Sequence, residues 1–349
     1  MRQPRAYLDW NATTPLRAEA KAAMIQAMEI AGNPSSVHAE GRAAKGMLEK
    51  ARGRIAEALG AMAADIVFVS GATEAAALAL ADRNLSCAGV EHDAVRAWCR
   101  EDLPVDMGGK VQLPADPSGC TLQLANSETG VIQDLPEGLA VSDLTQGFGK
   151  VPVGFDWSGI DMGFVSAHKL GGPRGIGALV LRRGLDVTAR LRGGGQEMGR
   201  RSGTENLIGI MGFAAAAEAA QRDLSDGVWE AVFELRKILE SGLASANTST
   251  IFVGKDSARL PNTSMIATPG WKGETQVMQM DLAGFAISAG SACSSGKVTA
   301  SQVLTAMGYD AETAACAIRV SLGPRTTRDE VSRFVEAWAA ANRRRSARA

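Results

Sequence analysis

Residues 166–175 read Ser-Ala-His-Lys-Leu-Gly-Gly-Pro-Arg-Gly, a stretch in which a short apolar run breaks into a glycine-rich turn. The runs Phe164 to Ala167 before this turn and Ile176 to Leu181 after it have the length and composition of buried strands. Similar runs occur at Ile66 to Val69 and at Leu122 to Ala125, separated by segments that can hold helices. This alternation predicts an α/β fold with a largely parallel sheet.

Helical periodicity is clearest between Ser35 and Gly60, where apolar side chains recur every three or four residues. Serines can cap the start of this helix, and Gly60 can end it. After the run that ends at Val69, the turn Ser70 to Glu74 opens a second helix rich in alanine and leucine. The pattern therefore predicts a strand, a tight turn and a helix in succession.

The sequence changes character after residue 203, where long helical segments begin at Glu205 to Leu224 and Val228 to Leu243. Short strand candidates follow, and a last helix is predicted from Thr327 to about Ala341. A chain of 349 residues, 46% of them hydrophobic, can also bury more than one domain core. We expect a large α/β domain at residues 12–225 and a smaller α+β domain at residues 226–349, to which residues 1–11 also belong.

The composition narrows the possible functions. The chain carries 37 basic and 38 acidic residues, so no excess positive charge exists to bind nucleic-acid phosphates or an anionic membrane. No apolar run is long enough for a signal peptide or a membrane span, and we expect a cytoplasmic protein. The five cysteines are widely spaced and include no Cys-x-x-Cys pair, so neither a disulfide framework nor a metal site is expected.

Lys169 stands beside His168 at the end of a predicted strand. Lysine side chains are rarely fully buried unless they pair with another group or have a function. In a tight site, desolvation or a neighbouring cation can remove its proton, and the free amine can then form a Schiff base. A solvated turn lysine is the alternative, and the neighbouring motifs favour the first interpretation.

A phosphate cradle is predicted at Gly71, Ala72 and Thr73, where a strand leads into the N-terminus of a helix. Backbone N–H groups and a hydroxyl face one point there. Ser166 and His168 can add two further donors. Many strand-to-helix turns look like this and bind nothing, so this turn indicates phosphate binding only in combination with the segment of Lys169.

Asp143 precedes Gln146 and follows a short apolar run, which places it where a strand opens toward a ligand crevice. A buried carboxylate needs a partner, and a protonated pyridinium nitrogen is such a partner. His92, one of three histidines, can stack on a planar cofactor and exchange protons with a substrate. The alternatives are an ordinary turn residue for Asp143 and a structural role for His92.

Cys293 lies in the run 288–296, which reads Ser-Ala-Gly-Ser-Ala-Cys-Ser-Ser-Gly. Small residues around a cysteine predict an accessible thiol that can move between a buried site and an outside acceptor. The other four cysteines lack such surroundings and are predicted to be structural.

These residues together resemble the cysteine desulfurases, which are class V, fold type I enzymes that depend on pyridoxal 5′-phosphate (PLP). Motif-like segments occur in order along nearly the whole chain. They are residues 8–14, 32–38, 70–74, 90–92, 125–130, 143–146, 166–169, 193–197, 200–206, the run around Cys293, and 318–323. The resemblance implies a seven-stranded, mostly parallel sheet flanked by helices, plus a smaller α+β domain.

The resemblance also implies roles for individual residues. Lys169 would hold the cofactor and Asp143 would pair with its pyridine nitrogen. Cofactor contacts are further implied for Ala72, Thr73, His92, Asn126, Gln146, Ser166 and His168, and for Thr204 in the site of the other subunit. Substrate contacts are implied for Asn11, Asn126 and Arg319, the last as a clamp on the carboxylate.

Catalysis would by this resemblance depend on Lys169, His92 and Cys293. L-cysteine would displace Lys169 from PLP and lose its α-proton, and the Cys293 thiolate would attack the substrate sulfur to give L-alanine and a persulfide. The implied partners are a second copy of the chain in a homodimer and a sulfur-acceptor protein serving iron–sulfur cluster or thio-cofactor synthesis.

Three features depart from the family pattern: Val141 replaces a histidine, Ala72 replaces a glycine, and Thr-Ala-Ser at 299–301 replaces Glu-Pro-Ser. The segments 90–126 and 130–143 are also short. None of these changes removes a reacting group. The alternatives are a selenocysteine lyase, another class V enzyme, or a catalytically weak homologue that serves as a binding subunit.

Overall fold

The structure is a computed structural model that describes residues 4–290 and 300–347. The strands in these ranges are β1 (Ala6–Tyr7), β2 (Ala64–Val69), β3 (Ser86–Ala88), β4 (Arg100–Leu103), β5 (Val141–Asp143), β6 (Met162–Ser166), β7 (Gly177–Arg182), β8 (Ile251–Phe252), β9 (Thr263–Ala267), β10 (Phe285–Ala286) and β11 (Ala317–Ser321). The helices are α1 (Ala18–Met28), α2 (Ala39–Leu59), α3 (Ala72–Leu80), α4 (Asp93–Arg96), α5 (Phe155–Ser158), α6 (Leu207–Ser225), α7 (Val228–Ala246), α8 (Gly273–Leu282), α9 (Gln302–Ala306), α10 (Ala311–Ala315) and α11 (Arg328–Ser346).

The large sheet contains β2, β7, β6 and β5 in that order. Single parallel bridges from Ser86 to Cys120 and from Thr121 to Val141 join β3 and β4 to its other edge. The order is thus β4, β3, the segment around Thr121, β5, β6, β7 and β2. In this part of the chain β7 runs antiparallel to its neighbours, and the other pairs across the sheet are parallel. The prediction of a mostly parallel, seven-stranded α/β sheet is confirmed.

The strand expected at 122–125 is less regular than predicted. Leu122 N–H donates to Val141 O at 3.1 Å and Leu124 N–H donates to Asp143 O at 2.8 Å, so the segment bonds to β5. No regular strand is formed at these residues. The segment between β4 and β5 is built mainly of turns and isolated bridges, as its short length allows.

Helix α2 shows why the sequence pattern succeeds. Its buried positions include Leu48, Ile55 and Leu59, at the spacing of one helical face, and that face joins the core formed with α6. Gly60 ends the helix in the left-handed conformation, as predicted. The expected serine cap was wrong, because the His38 side chain accepts the N–H of Gly41 and the helix begins at Ala39.

A second core is assembled from both ends of the chain. Strand β1 pairs in parallel with β10, and Ala6 and Leu8 pack with buried side chains of α7 and α11, among them Trp229 and Trp338. Strands β11, β9 and β8 form an antiparallel sheet against this core. The boundary expected near residue 225 stays a prediction. Within the described ranges, no helix has the length and apolar character needed to cross a membrane.

The residues predicted to act in catalysis or binding lie together at one end of the sheet, where its parallel strands finish. The parallel strands β2, β3, β5 and β6 all end there, and each is followed by a turn. Ligand crevices of α/β sheets lie outside the carboxyl ends of the strands. The turns that begin at Ser70, Gly89, Asp143 and Ser166 therefore surround one space.

Candidate active site

A cavity of about 780 Å³ lies at this edge of the sheet. Its wall is made by turns after the parallel strands, by the segment 9–13, and by β11 from the second core. Most of the residues predicted to act in catalysis or binding line it. They are Asn11, Ala72, Thr73, His92, Asp143, Gln146, Ser166, His168, Lys169 and Arg319.

Lys169 ends a short 3-10 turn that directly follows β6. Its Nζ donates to the backbone oxygens of Asn11 at 2.7 Å and Ala12 at 2.9 Å. The N-terminal segment is tied to the same turn, because Thr14 N–H donates to His168 O at 2.9 Å. Two carbonyl groups thus hold the lysine side chain against the cavity wall.

The predicted phosphate cradle is brought together by β2, β6 and α3. Ala72 and Thr73 begin α3, so their backbone N–H groups point out of the helix N-terminus into the cavity. Ser166 and His168 line the same cavity. Burial, together with the nearby charges of Lys169 and Arg174, lowers the pKa of His168 to about 4. The imidazole is therefore neutral at pH 7 and keeps one N–H donor.

Asp143 ends β5, and its Oδ1 accepts the N–H of Thr145 at 2.8 Å. Burial raises the pKa of this carboxyl, while the bonds from Thr145 and the nearby His92 and Lys169 oppose the rise. A carboxylate that burial disfavours is stabilised by a cationic partner. Asp143 thus fits the protonated nitrogen of a pyridine ring placed in the cavity.

His92 caps α4 and lines the cavity. Its Nδ1 accepts the N–H of Ala94 at 3.1 Å, so the neutral ring carries its proton on Nε2. The preceding Glu91 is buried, and its Oε1 accepts the N–H of Gln123 at 2.6 Å. The Gln123 side chain in turn donates to Val90 O at 2.9 Å. This reciprocal pair fixes the turn that carries His92.

Arg319 lies on β11 and is 6% exposed. Its Nη1 donates to Ser127 O at 3.0 Å, and its Nη2 donates to Asp9 Oδ1 at 2.8 Å. Nε has no partner within the described ranges. Since a guanidinium group has five N–H donors, the fork retains capacity for a carboxylate in the cavity.

Asn11 has a second function that the sequence did not reveal. Its carboxamide nitrogen donates to Ser127 O at 3.1 Å and Thr263 Oγ1 at 2.9 Å. Its Oδ1 accepts from Lys150 Nζ at 3.1 Å and Asn262 Nδ2 at 3.0 Å. The side chain connects the two cores, and its predicted contact with substrate stays a prediction.

Lys150 is the residue that sequence reasoning missed. It is 2% exposed, and its Nζ donates to Gln146 Oε1 at 2.6 Å as well as to Asn11. The available signal was a lysine within the run Phe148 to Val153, whose other residues are apolar or glycine. A lysine flanked in this way is a candidate for a buried amine.

Two predicted residues do not line the cavity. Asn126 is buried behind the wall, where its side chain donates to Val90 O and accepts the N–H groups of Glu128 and Thr129. Thr204 is exposed on the surface. Both assigned roles stay predictions.

Cys293 lies outside the described residues. Gly290, which directly precedes the undescribed residues 291–299, and Gln302, three residues after them, line the cavity. Of the other cysteines, Cys87, Cys120 and Cys316 are buried. Within the described ranges, no group of three or more His, Cys, Asp or Glu side chains could hold a metal ion.

Comparisons with known proteins agree with this arrangement. The family model described as aminotransferase class-V matches residues 6–95 and 112–334. A cysteine desulfurase of Cereibacter sphaeroides is 40% identical, over 95% of this chain and 94% of that protein. The solved structure of a NifS-like protein from Rickettsia africae has a TM-score of 0.88 and 32% identity, over 97% of this chain and 99% of that one. A structure titled SspA in complex with cysteine has a TM-score of 0.75 and 26% identity, over 92% of this chain and 100% of that one.

Proposed function

The chain belongs to the class-V aminotransferase family and, within it, to the cysteine desulfurases, and on this basis we propose that it binds PLP on Lys169 and transfers the sulfur of L-cysteine to Cys293. Members of this family are PLP-dependent enzymes. Full-length relatives with this activity make a selenocysteine lyase, another class V reaction or an inactive binding subunit the less favoured alternatives.

One observation carries the proposal: an amine, a partly buried carboxyl and a group of phosphate donors line the same cavity. Lys169 supplies the amine and Asp143 the carboxyl. Ala72, Thr73 and Ser166, with the neutral imidazole of His168, supply the donors. These are the groups that a PLP molecule requires, namely a lysine for its aldehyde, an anion for its ring nitrogen and hydrogen bonds for its phosphate.

When bound, PLP supplies an aldehyde that condenses with amines and a ring that accepts electrons from the substrate α-carbon. Residues of the protein bind the substrate and carry its protons. Arg319 binds the substrate carboxylate with the N–H groups that Asp9 and Ser127 leave available. Lys169 and His92, both at the cavity wall, carry the proton that leaves and returns to the substrate carbon. Asp143 would accept the hydrogen bond of the protonated ring nitrogen, whose positive charge favours the ionised carboxylate.

The sulfur step is balanced within the protein and its substrate. The Cys293 thiolate forms an S–S bond to the substrate sulfur, and the carbon–sulfur bond breaks with its electron pair left on carbon. Protonation of that carbon gives L-alanine, and the enzyme keeps the persulfide. Gly290 and Gln302, which precede and follow the stretch that carries Cys293, line the cavity.

We also propose the partners that this chemistry needs. A homodimer would bring Thr204, which is exposed here, to the phosphate end of the other subunit's cavity. A sulfur-acceptor protein would take the persulfide sulfur for iron–sulfur cluster or thio-cofactor synthesis. The exposure of Thr204 in the single chain is compatible with such a contact.

Two substitutions test the chemistry separately. Lys169→Ala should abolish the visible absorption band of the lysine-bound cofactor, because among the described residues Lys169 is the one lysine that lines the cavity. Cys293→Ser should keep the band and release no sulfide or alanine from cysteine. Mass spectrometry of wild type after incubation with cysteine should find one added sulfur on the peptide that contains Cys293.

The matched control is Cys99→Ser, which removes a partly buried thiol outside the cavity and should retain activity. A colourless wild-type protein in the presence of PLP would refute the cofactor proposal. Full sulfide production by Cys293→Ser would refute the role of that thiol.

A further inference from the structure

Lys150 is a buried amine that no step of the proposed chemistry uses. Its Nζ donates to Gln146 Oε1 at 2.6 Å and to Asn11 Oδ1 at 3.1 Å. Both acceptors are neutral carboxamides, and within the described ranges no carboxylate bonds to Lys150. A lysine buried without a counter-ion needs another explanation than a structural ion pair.

The two bonds determine how the carboxamide of Gln146 is turned. A lysine side chain donates hydrogen bonds, so the oxygen of the amide must face it. The Gln146 nitrogen is then directed away from Lys150, where it donates to Asn11 O at 3.0 Å. One further N–H of that nitrogen is left for the cavity that Gln146 lines.

The same contacts couple Lys150 to Lys169. The backbone oxygen of Asn11 accepts from Lys169 Nζ at 2.7 Å and from Gln146 Nε2, while its side-chain oxygen accepts from Lys150. The two lysines are thus held by two oxygens of one residue. A change at Lys150 therefore reaches Lys169 through Asn11 and the cavity through Gln146.

The surroundings of Lys150 disfavour its charged form, because burial first, and then the nearby charges of Lys169 and Arg319, lower its pKa well below the ordinary value. The direction of the two hydrogen bonds does not depend on that charge. Asn11 Oδ1 can only accept, and Gln146 Nε2 is already turned to Asn11 O, so Lys150 is the donor in both bonds.

We propose that Lys150 is a positioning residue, which fixes the carboxamide of Gln146 with its nitrogen toward the cavity and so sets a hydrogen-bond donor there for the phenolic oxygen of PLP. This inference rests on the proposed function, because it concerns the cofactor assigned above. Lys150 itself contacts neither substrate nor cofactor. It determines which end of the Gln146 carboxamide faces the cofactor.

The test uses the holoenzyme and the substitution Lys150→Met, which keeps the length of the side chain and removes its donors. The visible band of the lysine-bound cofactor is titrated with pH, and the Kd of PLP is measured. Loss of one oriented hydrogen bond should weaken PLP binding about ten-fold. The pH midpoint of the band should move by about one unit, since Gln146 loses one of the two bonds that hold its carboxamide in this orientation.

A double-substitution cycle shows whether the effect passes through Gln146. In a Gln146→Leu background, Lys150→Met should shift the midpoint by much less than it does in the wild-type background, because only the indirect route through Asn11 remains. The matched control is Lys45→Met on α2, which removes an exposed amine far from Gln146 and should titrate like wild type. Should Lys150→Met fail to fold, Gln146→Glu keeps an acceptor for Lys150 while it removes the N–H, and it should shift the midpoint too.

Three results would overturn the inference: a Lys150→Met titration equal to that of wild type, an undiminished shift in the Gln146→Leu background, or an unchanged midpoint in Gln146→Glu. Each leaves the proposed function standing, because the band itself is present. A wild-type protein that takes up no PLP would instead refute the proposed function.

Discussion

At the scale of single residues, the cavity depends on polar groups that burial has moved away from their ordinary behaviour. Asp143, His168 and Lys150 all have pKa values shifted first of all by burial. Each shift favours the neutral form of the group. Charged groups in the cavity are therefore stabilised by hydrogen bonds and neighbouring charges rather than by water. This is the usual condition of an enzyme active site.

Glu91 gives a residue-scale prediction about pH. Burial, helped by the charge of Asp143, raises its pKa from 4.5 to about 8. Between these values the folded protein keeps a proton that the unfolded chain has released, so stability falls as pH rises, by up to about 1.4 kcal/mol per pH unit. Glu91→Gln has no proton to lose, and its oxygen can still accept from Gln123.

We therefore expect the melting temperature of Glu91→Gln, relative to wild type, to increase from pH 5 to pH 8. Thermal unfolding of both proteins at several pH values checks this. A difference that stays constant across the range would show that Glu91 is ionised in the folded protein throughout.

At the scale of elements, helix α2 illustrates how one glycine sets a boundary. Gly60 has φ of 60° and ψ of 41°, and a Cβ there would lie 3.0 Å from Gly154 Cα. Side chains with a Cβ adopt this conformation at a cost. The chain turns back toward β2 at that point, so strain at Gly60 is not relieved by moving the helix.

Two alanine substitutions in α2 should act in opposite directions. Gly60→Ala should destabilise the protein by about 1–2 kcal/mol, because it adds strain at the left-handed position. Gly46→Ala, in the exposed interior of the same helix with no atom within 4 Å of the new Cβ, should stabilise it by up to about 1 kcal/mol. Urea unfolding of the two variants measures both, and equal effects would argue against this account of the helix end.

At the scale of the whole molecule, the cavity joins parts of the chain that are far apart in sequence. Asp9 and Asn11 come from the N-terminus, Lys169 from the large sheet and Arg319 from β11. The Asp9–Arg319 ion pair and the bonds around Asn11 hold the two cores together at the cavity. The proposed homodimer would extend this construction to a second chain through Thr204.

A mixed dimer tests whether Thr204 serves the other subunit. Thr204→Ala homodimers should bind PLP about ten-fold more weakly, through loss of a phosphate contact. Consider a heterodimer of one Lys169→Ala chain and one Thr204→Ala chain. If Thr204 serves the other subunit, the site that lacks Lys169 also lacks Thr204, and the second site has both residues. Isolated by two different tags, this heterodimer should show wild-type PLP affinity at its single lysine-bound site.

The alternative hypothesis, in which Thr204 contacts the phosphate in its own subunit, predicts a different affinity. If Thr204 acts within its own chain, the lysine-bound site of the heterodimer keeps the weak affinity of the Thr204→Ala protein. Failure to recover any heterodimer from chains that are folded would argue against the dimer itself.

Local pattern was enough to identify much of this protein. The α/β sheet, the extents of the long helices and the segments of Lys169, Asp143 and the phosphate cradle could be predicted, because strand and helix periods and turn residues act over a few neighbours. The parallel sheet then places these segments at one edge by necessity. Chemistry carried by residues that directly follow strands is for this reason visible in the sequence.

Tertiary structure alone decided how the polar side chains share their hydrogen bonds. Lys150 is buried against Gln146 and Asn11, Asn126 lies behind the cavity wall, and His38 rather than a serine caps α2. Asn11 has partners that lie more than 100 residues away. Such choices depend on which donors and acceptors packing brings within about 3 Å of each other, and no sequence period records that distance.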